Sequence, residues 1–184
     1  MQATVHKRPR SVFTSDAEEH TRFRRMLSRP FTFKRVEGLR PVIQQITDEH
    51  IDAMLAGPQP ADVVSALALP VPSLVITQLL GVPYEDAEFF QHHANVGLAR
   101  YATGGDTAKG AAGVAKYLAE LVGAKMETPL EERADAVSDL AERVKAGEIS
   151  VREAAQLGTG LLIAGHETTA NMIGLGVLAL LQHP

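Results

Sequence analysis

The sequence predicts a mainly α-helical protein, and three observations support this fold class. Aromatic residues make up only 5% of the chain, Trp is absent, and Ala and Leu are abundant, a composition that favours helix over sheet. Several segments carry apolar residues at the three- and four-residue spacing of one helix face. A long apolar stretch without proline occupies residues 151–183. For 184 residues with 45% apolar content we expect a single helical domain, residues 1–184.

The apolar stretch near the C-terminal end is predicted to be the central helix of this domain. Ser150 followed by Glu153 is the pattern of a capping box, so the helix should begin near Val151. Apolar residues occur on every side of the helix that follows, and a helix that is apolar all round is typically buried. We therefore expect this helix to form the centre of the core.

The hexapeptide Ala-Gly-His-Glu-Thr-Thr, residues 164–169, interrupts this apolar helix. A carboxylate and two hydroxyls are costly in an apolar environment unless they have partners. One interpretation is a small-residue packing notch with a threonine that bonds its own helix. The other is a catalytic groove, in which Gly165 lets another group approach the backbone.

Charge and cysteine content exclude several classes of function. The chain has no Cys, which excludes disulfides and thiolate chemistry. Residues 1–40 carry a net charge of +6 and the remaining residues −10, which together give −4. No DNA-binding motif accompanies the basic end, so we expect a solvated helix face or a docking surface for an acidic protein, and no nucleic acid.

Two further features bear on location. The first residues contain no apolar region typical of a signal peptide. The polar residues at the centre of the long helix argue against a membrane span. We expect a cytoplasmic protein that does not enter a membrane.

The first helix is predicted from the acid-rich start at Asp16 to Pro30. Its apolar residues Phe23, Met26 and Leu27 fall on one face. His20 and Arg24 are four residues apart, so their side chains share a face and could bind one carboxylate together. An exposed pair without a ligand is the alternative interpretation.

The middle of the chain is predicted to form further helices. They are an amphipathic helix over Val36–Leu55 with Pro41 near its first turn, a buried helix over Leu69–Gly81, and helices over Asp86–Tyr101, Asp106–Met126 and Leu130–Lys145, the last solvated on one side. Residues 61–64 are expected to form a short strand or an extended entry. Gly104 and Gly105 suit either a lid hinge or an ordinary turn.

The adjacent histidines His92 and His93 do not form a metal site. On a helix they point about 100° apart, so they cannot chelate one metal ion, and we predict no metal-ligating residue.

Three segments resemble the cytochrome P-450 monooxygenase family. Residues 164–169 resemble the signature of its long central helix, residues 16–27 are similar to its early heme-contacting helix, and residues 80–86 are similar to the segment before its substrate lid. The resemblance is to soluble bacterial members of actinobacterial type and covers nearly the whole chain. It implies the helical part of the P-450 fold.

The resemblance also implies specific roles for residues of this chain. His20 and Arg24 would bind a heme propionate, and Ala164 with Gly165 would form a notch for oxygen. Glu167 would feed protons towards Thr168, whose hydroxyl would hydrogen-bond the bound oxygen molecule. The implied function is hydroxylation of a small organic substrate with O2, with heme as cofactor and a ferredoxin-type redox partner.

The family's main sheet and the loop carrying its heme-ligating Cys have no counterpart in this sequence. We therefore expect an internal fragment of the family's chain, from the propionate-binding helix to the oxygen-binding helix, that is inactive by itself. The alternative is a non-catalytic helical fragment that binds a partner or an apolar ligand, or that associates with itself through an exposed apolar face.

Overall fold

The computed structural model describes residues 15–83, 86, 89, 104–128 and 135–183. Across these ranges the secondary structure is helical throughout, with no β-strand, as the composition predicts. None of the helices in the described part is long and apolar enough to cross a membrane. The α-helices are α1 (Ala17–Met26), α2 (Phe33–Ala56), α3 (Pro70–Leu80), α4 (Gly104–Glu127), α5 (Ala136–Lys145) and α6 (Val151–Gln182).

Helix α1 begins where the sequence predicts, but it ends at Met26, four residues before the predicted stop at Pro30. The Asp16 carboxylate caps it by accepting a hydrogen bond from the Glu19 amide at 3.0 Å. Phe23 and Met26 are buried on one face. A 3-10 turn, Arg29–Phe31, follows and contains the buried Pro30. Because proline cannot donate a helix hydrogen bond, the chain changes direction here.

Helix α2 is amphipathic, but it begins earlier than predicted. It starts at Phe33, so Pro41 lies well inside the helix and not near its first turn. The half-buried positions include 39, 43, 46, 50 and 54, which fall on one face, and no residue of α2 is fully buried. Gly57 ends the helix, as the Gly57-Pro58 pair predicts.

The strand or extended entry predicted for residues 61–64 is wrong, because helical structure already begins at Val63. A π-helical turn, Val64–Ala68, leads into α3. The physical reason is local: the Asp62 carboxylate accepts hydrogen bonds from the amides of Val64 at 2.9 Å and Ser65 at 3.4 Å. These bonds satisfy the first amides of a helical turn, which a strand would leave for a neighbouring strand.

The predicted end of α3 is confirmed at Gly81, which adopts a left-handed conformation with φ +79°. Asp135 packs directly against this glycine and caps α5, accepting hydrogen bonds from the Ser138 amide at 2.8 Å and Lys125 Nζ at 2.8 Å. Asp135 therefore joins the end of α3 to α4 and α5.

Helices α4 and α5 differ from expectation at their ends. Helix α4 begins at Gly104, so both junction glycines are helical. Helix α5 begins at Ala136 and buries residues 136–141, so its first half is less solvated than predicted. Most of the helix predicted over Asp86–Tyr101, with His92 and His93, lies outside the described residues.

Helix α6 has the predicted capping box. The Glu153 amide donates to Ser150 Oγ at 3.2 Å, and the Ser150 amide donates to Glu153 Oε2 at 2.9 Å. Its first half is buried along Ala154, Gly158, Leu162, His166 and Ala170, a four-residue spacing that faces α3, α4 and α5.

The prediction that α6 is buried on all sides is wrong, since Ile163 in its first half is 40% exposed and its second half is largely exposed. Met172, Leu175, Leu178, Leu180 and Leu181 are between 50% and 75% exposed. In the described part of the chain, the π-helical turn Val64–Ala68 contacts α6, and Val64 lies near Gly174. An apolar periodicity shows that a helix can be buried, but burial also requires a neighbouring element.

Candidate cofactor groove

A groove of about 430 Å³ lies between α1, the 3-10 turn and α6. Two residues predicted to bind the cofactor, Arg24 and Ala164, both line it although they are distant in sequence. The complete lining is Arg24, Leu27, Ser28, Phe31, Gly160, Leu161 and Ala164.

The α1 side of the groove combines one cation with apolar surface. Arg24 is exposed, and its guanidinium makes no hydrogen bond or ion pair to the described residues. His20 precedes Arg24 by one helical turn on the same face and is half-buried, but it is not part of the lining. The predicted pair therefore shares a face, with Arg24 alone reaching the groove.

The α6 side presents Gly160, Ala164, Glu167 and Thr168 on one face, because these positions are separated by four, seven and eight residues. Glu167 and Thr168 are exposed and follow the lining residue Ala164 by about one turn. The Thr168 hydroxyl donates to the Ala164 carbonyl oxygen at 2.7 Å. Its proton is thus used within the helix, as one interpretation predicts, while its oxygen can still accept a hydrogen bond.

Gly165 faces α3, whereas Ala164 faces the groove. A Cβ placed on Gly165 would lie 2.7 Å from Cδ1 of Ile76 in α3. The missing side chain therefore lets α3 and α6 pack closely. Gly165 is not among the residues that line the groove.

His166 is a buried polar residue that the sequence analysis did not identify. Its side chain is 3% exposed, and Nδ1 has no hydrogen-bond partner among the residues that the structure describes. Burial lowers the pKa of the imidazole, against the opposing charge of Glu167. The four-residue spacing of Leu162, His166 and Ala170 places it on the buried face of α6, opposite the groove.

Five lining residues were not predicted as site residues: Leu27, Ser28, Phe31, Gly160 and Leu161. Gly160 could have been found, because it lies four residues before Ala164. Phe31 could not, since its position depends on how the 3-10 turn is placed against α6.

The lining fits an apolar group that carries carboxylates, such as heme. Leu27, Phe31, Leu161 and Ala164 offer apolar contacts, and Arg24 offers a charged donor without another partner in the described part of the chain. The described residues contain no group of three or more His, Asp or Glu side chains that could hold a metal ion. The groove therefore suits the organic part of such a cofactor.

Comparison with known proteins gives several close relatives, although no family model matches. Cytochrome P450 CYP105Q4 of Mycobacterium marinum is 84% identical over 184 residues, which is 100% of this chain and 44% of that protein. Cytochrome P450 GfsF of Streptomyces halstedii is 56% identical over 169 residues, 92% of this chain and 40% of that protein. The chain thus spans less than half the length of these relatives.

Solved structures agree with the sequence relatives. The crystal structure of GfsF has a TM-score of 0.88 at 55% identity and covers 95% of this chain and 43% of its own. The mycinamicin VIII C21 methyl hydroxylase MycCI from Micromonospora griseorubida, bound to mycinamicin VIII, has a TM-score of 0.82 at 40% identity, with 95% and 44% covered. The chain therefore belongs to the cytochrome P450 family, whose cofactor is heme, and it has the helical part of that family's fold.

Proposed function

We propose that these residues form the oxygen-side helical part of a heme-dependent monooxygenase that hydroxylates a small organic substrate. The observation that carries this proposal is the groove in which Arg24 of α1 faces Ala164 of α6. The relatives support it at the level of the family, since they are cytochromes P450. The choice of substrate depends on parts of the protein outside the groove.

The α1 side of the groove would hold the cofactor. Arg24 would donate to a heme propionate, and His20, one turn away on the same face, would add a second donor. Leu27, Phe31 and Leu161 would cover the apolar part of the group and exclude water. When bound, heme supplies the iron at which O2 is activated.

The α6 side of the groove would deliver protons. Thr168 Oγ1 donates to Ala164 O, so its lone pairs can accept a hydrogen bond from a group in the groove. Glu167 is an exposed carboxylate one residue away, which can take a proton from solvent and pass it towards the Thr168 hydroxyl. Ala164 leaves space beside that hydroxyl.

A ferredoxin-type partner would meet the basic surface of α1. Arg29 is not free for this task, because it pairs with Asp139 at 3.2 Å and Glu142 at 3.0 Å. Arg25 is exposed, and its guanidinium has no partner in the described ranges. We therefore propose Arg25 as the α1 cation that contributes to a salt-dependent encounter with an acidic partner.

The test of the cofactor assignment uses a complete protein that contains this segment. Arg24→Ala should weaken heme retention by about 1.5–3 kcal/mol, on the order of ten- to a hundredfold in affinity, because one charged hydrogen bond is lost. His20→Ala should act in the same direction. Arg25→Ala is the matched control on the same helix and should retain heme as the wild type does. Unchanged heme retention in the His20/Arg24 double variant would contradict the assignment.

The 184-residue chain gives a second test of the cofactor assignment. Because it contains no Cys, we expect it to bind heme weakly, with any axial protein ligand a histidine. Absorption spectroscopy of the reduced, carbon monoxide-treated chain would show this. A stoichiometric complex with a thiolate spectrum would contradict it.

A second candidate function is self-association, which the exposed second half of α6 favours. Five large apolar side chains lie exposed there, and such surfaces in soluble proteins are usually covered. We propose that two copies of the 184-residue chain cover this surface for each other. Light scattering should give a dimer mass that falls to the monomer mass in Leu175→Glu/Leu178→Glu, and a monomeric wild type would contradict this proposal.

A further inference from the structure

Asp139 of α5 is a buried carboxylate that joins three elements. It is only 6% exposed. Arg29 of the 3-10 turn forms an ion pair with it, with Nη1 3.2 Å from Oδ1. Arg35, in the first turn of α2, binds the same carboxylate with both terminal nitrogens, through Nη1 to Oδ2 and through Nη2 to Oδ1 at 3.3 Å. One carboxylate thus holds both sides of the turn.

This turn forms one wall of the cofactor groove. Ser28, just before it, and Phe31, its last residue, both line the groove, whereas Arg29 points to the opposite side, towards α5. Within Arg29–Phe31 the buried residue is Pro30. Arg29 joins the turn to α5 through two ion pairs, one with Asp139 and one with Glu142.

We propose that Asp139 is a positioning residue that fixes the Ser28–Phe31 wall of the groove without touching the cofactor itself. This inference rests on the proposed function, because it assigns a consequence for heme. Removal of the carboxylate charge would leave the half-buried Arg35 guanidinium without its counter-ion and Arg29 paired with Glu142 alone, so the turn should be held less firmly against α5.

We expect Asp139, and not Glu142, to be the carboxylate that holds the 3-10 turn in place. Glu142 also binds Arg29, at 3.0 Å, but the Arg29 side chain is 58% exposed and water screens this pair. Asp139 is itself buried and lies between the buried residues Ser138 and Leu140. The bidentate pair with Arg35 is also the more buried one, since the Arg35 side chain is 24% exposed.

The experiment compares Asp139→Asn with Glu142→Gln and Glu37→Gln in the 184-residue chain and in a complete protein containing it. Glu37 pairs with Arg40 on the exposed surface of α2 and is the matched control. Heme affinity is titrated, and hydrogen exchange of residues 28–36 is compared with that of residues 160–170. We expect Asp139→Asn to weaken heme on the order of tenfold, with faster exchange confined to residues 28–36. The two glutamine variants should stay within about twofold of the wild type.

Two results would overturn the positioning role: wild-type heme affinity in Asp139→Asn, or exchange that rises equally in all helices. Asp139→Glu, which restores the charge, should recover part of the affinity. If Asp139→Asn fails to fold, Arg29→Met removes the ion pairs of the turn to Asp139 and Glu142, leaves the Arg35–Asp139 pair in place, and must then show the local exchange and the weaker heme. A wild-type protein that binds no heme would contradict the proposed function, whereas exchange at residues 28–36 tests the positioning role independently.

Discussion

Ile76 of α3 fills the space that a side chain on Gly165 of α6 would need. A Cβ at position 165 would lie 2.7 Å from Ile76 Cδ1 and 3.0 Å from Cγ1. Both helices lie in the core, and Ile76 is itself buried. Because Ala164 precedes Gly165 directly, this contact also sets how far the groove-lining face of α6 stands from α3.

We therefore expect Gly165→Ala to destabilise the protein by about 1–3 kcal/mol through overpacking, although alanine favours helix. Urea unfolding measures the change. Gly176→Ala is the matched control in the same helix, because a Cβ there meets no atom within 4 Å. That control should be stabilised by about 0.5–1 kcal/mol.

The double variant Gly165→Ala/Ile76→Val assigns the cause. Shortening Ile76 removes the atom that collides, so the double variant should lose less stability than the sum of the two single changes. Additive losses would show that Ile76 is not the obstacle.

Gly81→Ala should be among the most destabilising alanine substitutions in the described part of the chain. Its φ of +79° is unfavourable for alanine, and a Cβ there would lie 2.1 Å from Cγ of Asp135. Gly147 has a similar φ of +73° but open space around it. We expect a loss of about 1–2 kcal/mol for Gly147→Ala, from backbone strain alone, and a larger loss for Gly81→Ala. If urea unfolding gave the same loss of unfolding free energy for Gly81→Ala and Gly147→Ala, Asp135 would have moved aside at no energetic cost.

The stability of the fold should decrease in acid because of His166. Burial lowers the pKa of this imidazole in the folded state below its ordinary value of 6.5. The unfolded chain therefore binds a proton that the folded chain excludes, and stability falls as the pH falls below about 6.5 until the folded pKa is reached. The slope contributed by this group is at most about 1.4 kcal/mol per pH unit.

The unfolding free energies of the wild type and His166→Leu are compared by urea unfolding between pH 8 and pH 5. The variant removes a buried Nδ1 that no described residue hydrogen-bonds, so at pH 7 it should be neutral or stabilising. Its unfolding free energy should depend less on pH than that of the wild type. Parallel pH profiles would show that His166 remains able to ionise in the folded state.

In a complete protein that contains this segment, Thr168→Ala should reduce the product formed per reductant oxidised and increase the release of hydrogen peroxide. The Thr168 hydroxyl, held by Ala164 O at 2.7 Å, is the proposed proton donor and acceptor at the groove face of α6. Glu167→Gln should slow turnover, because an amide cannot relay a proton.

Thr168→Ser keeps the hydroxyl and should retain most of the coupling. Thr169→Ala is the second control, since position 169 lies about 100° further round the helix. Equal coupling in Thr168→Ala and the wild type would mean that Thr168 only bonds its own helix.

The sequence predicted the features that depend on near neighbours. Asp16 caps α1, the Ser150–Glu153 capping box starts α6, and Gly81 ends α3, as residue type and spacing indicate. Of the four candidate cofactor residues His20, Arg24, Ala164 and Gly165, the groove brings together Arg24 and Ala164. The erroneous strand at residues 61–64 shows the limit, because apolar β-branched residues there did not reveal the cap that Asp62 provides.

The local sequence thus determined where the helices lie and how they are capped, because hydrogen bonds between residues a few positions apart decide both. Only the tertiary structure decided which face of each helix is covered. It turned Gly165 towards Ile76, buried His166 without a partner, and placed Phe31 beside α6. It also left the second half of α6 exposed, although the apolar pattern there is as strong as in the first half. Burial depends on which elements are neighbours in space, and the periodicity of a single helix does not contain that information.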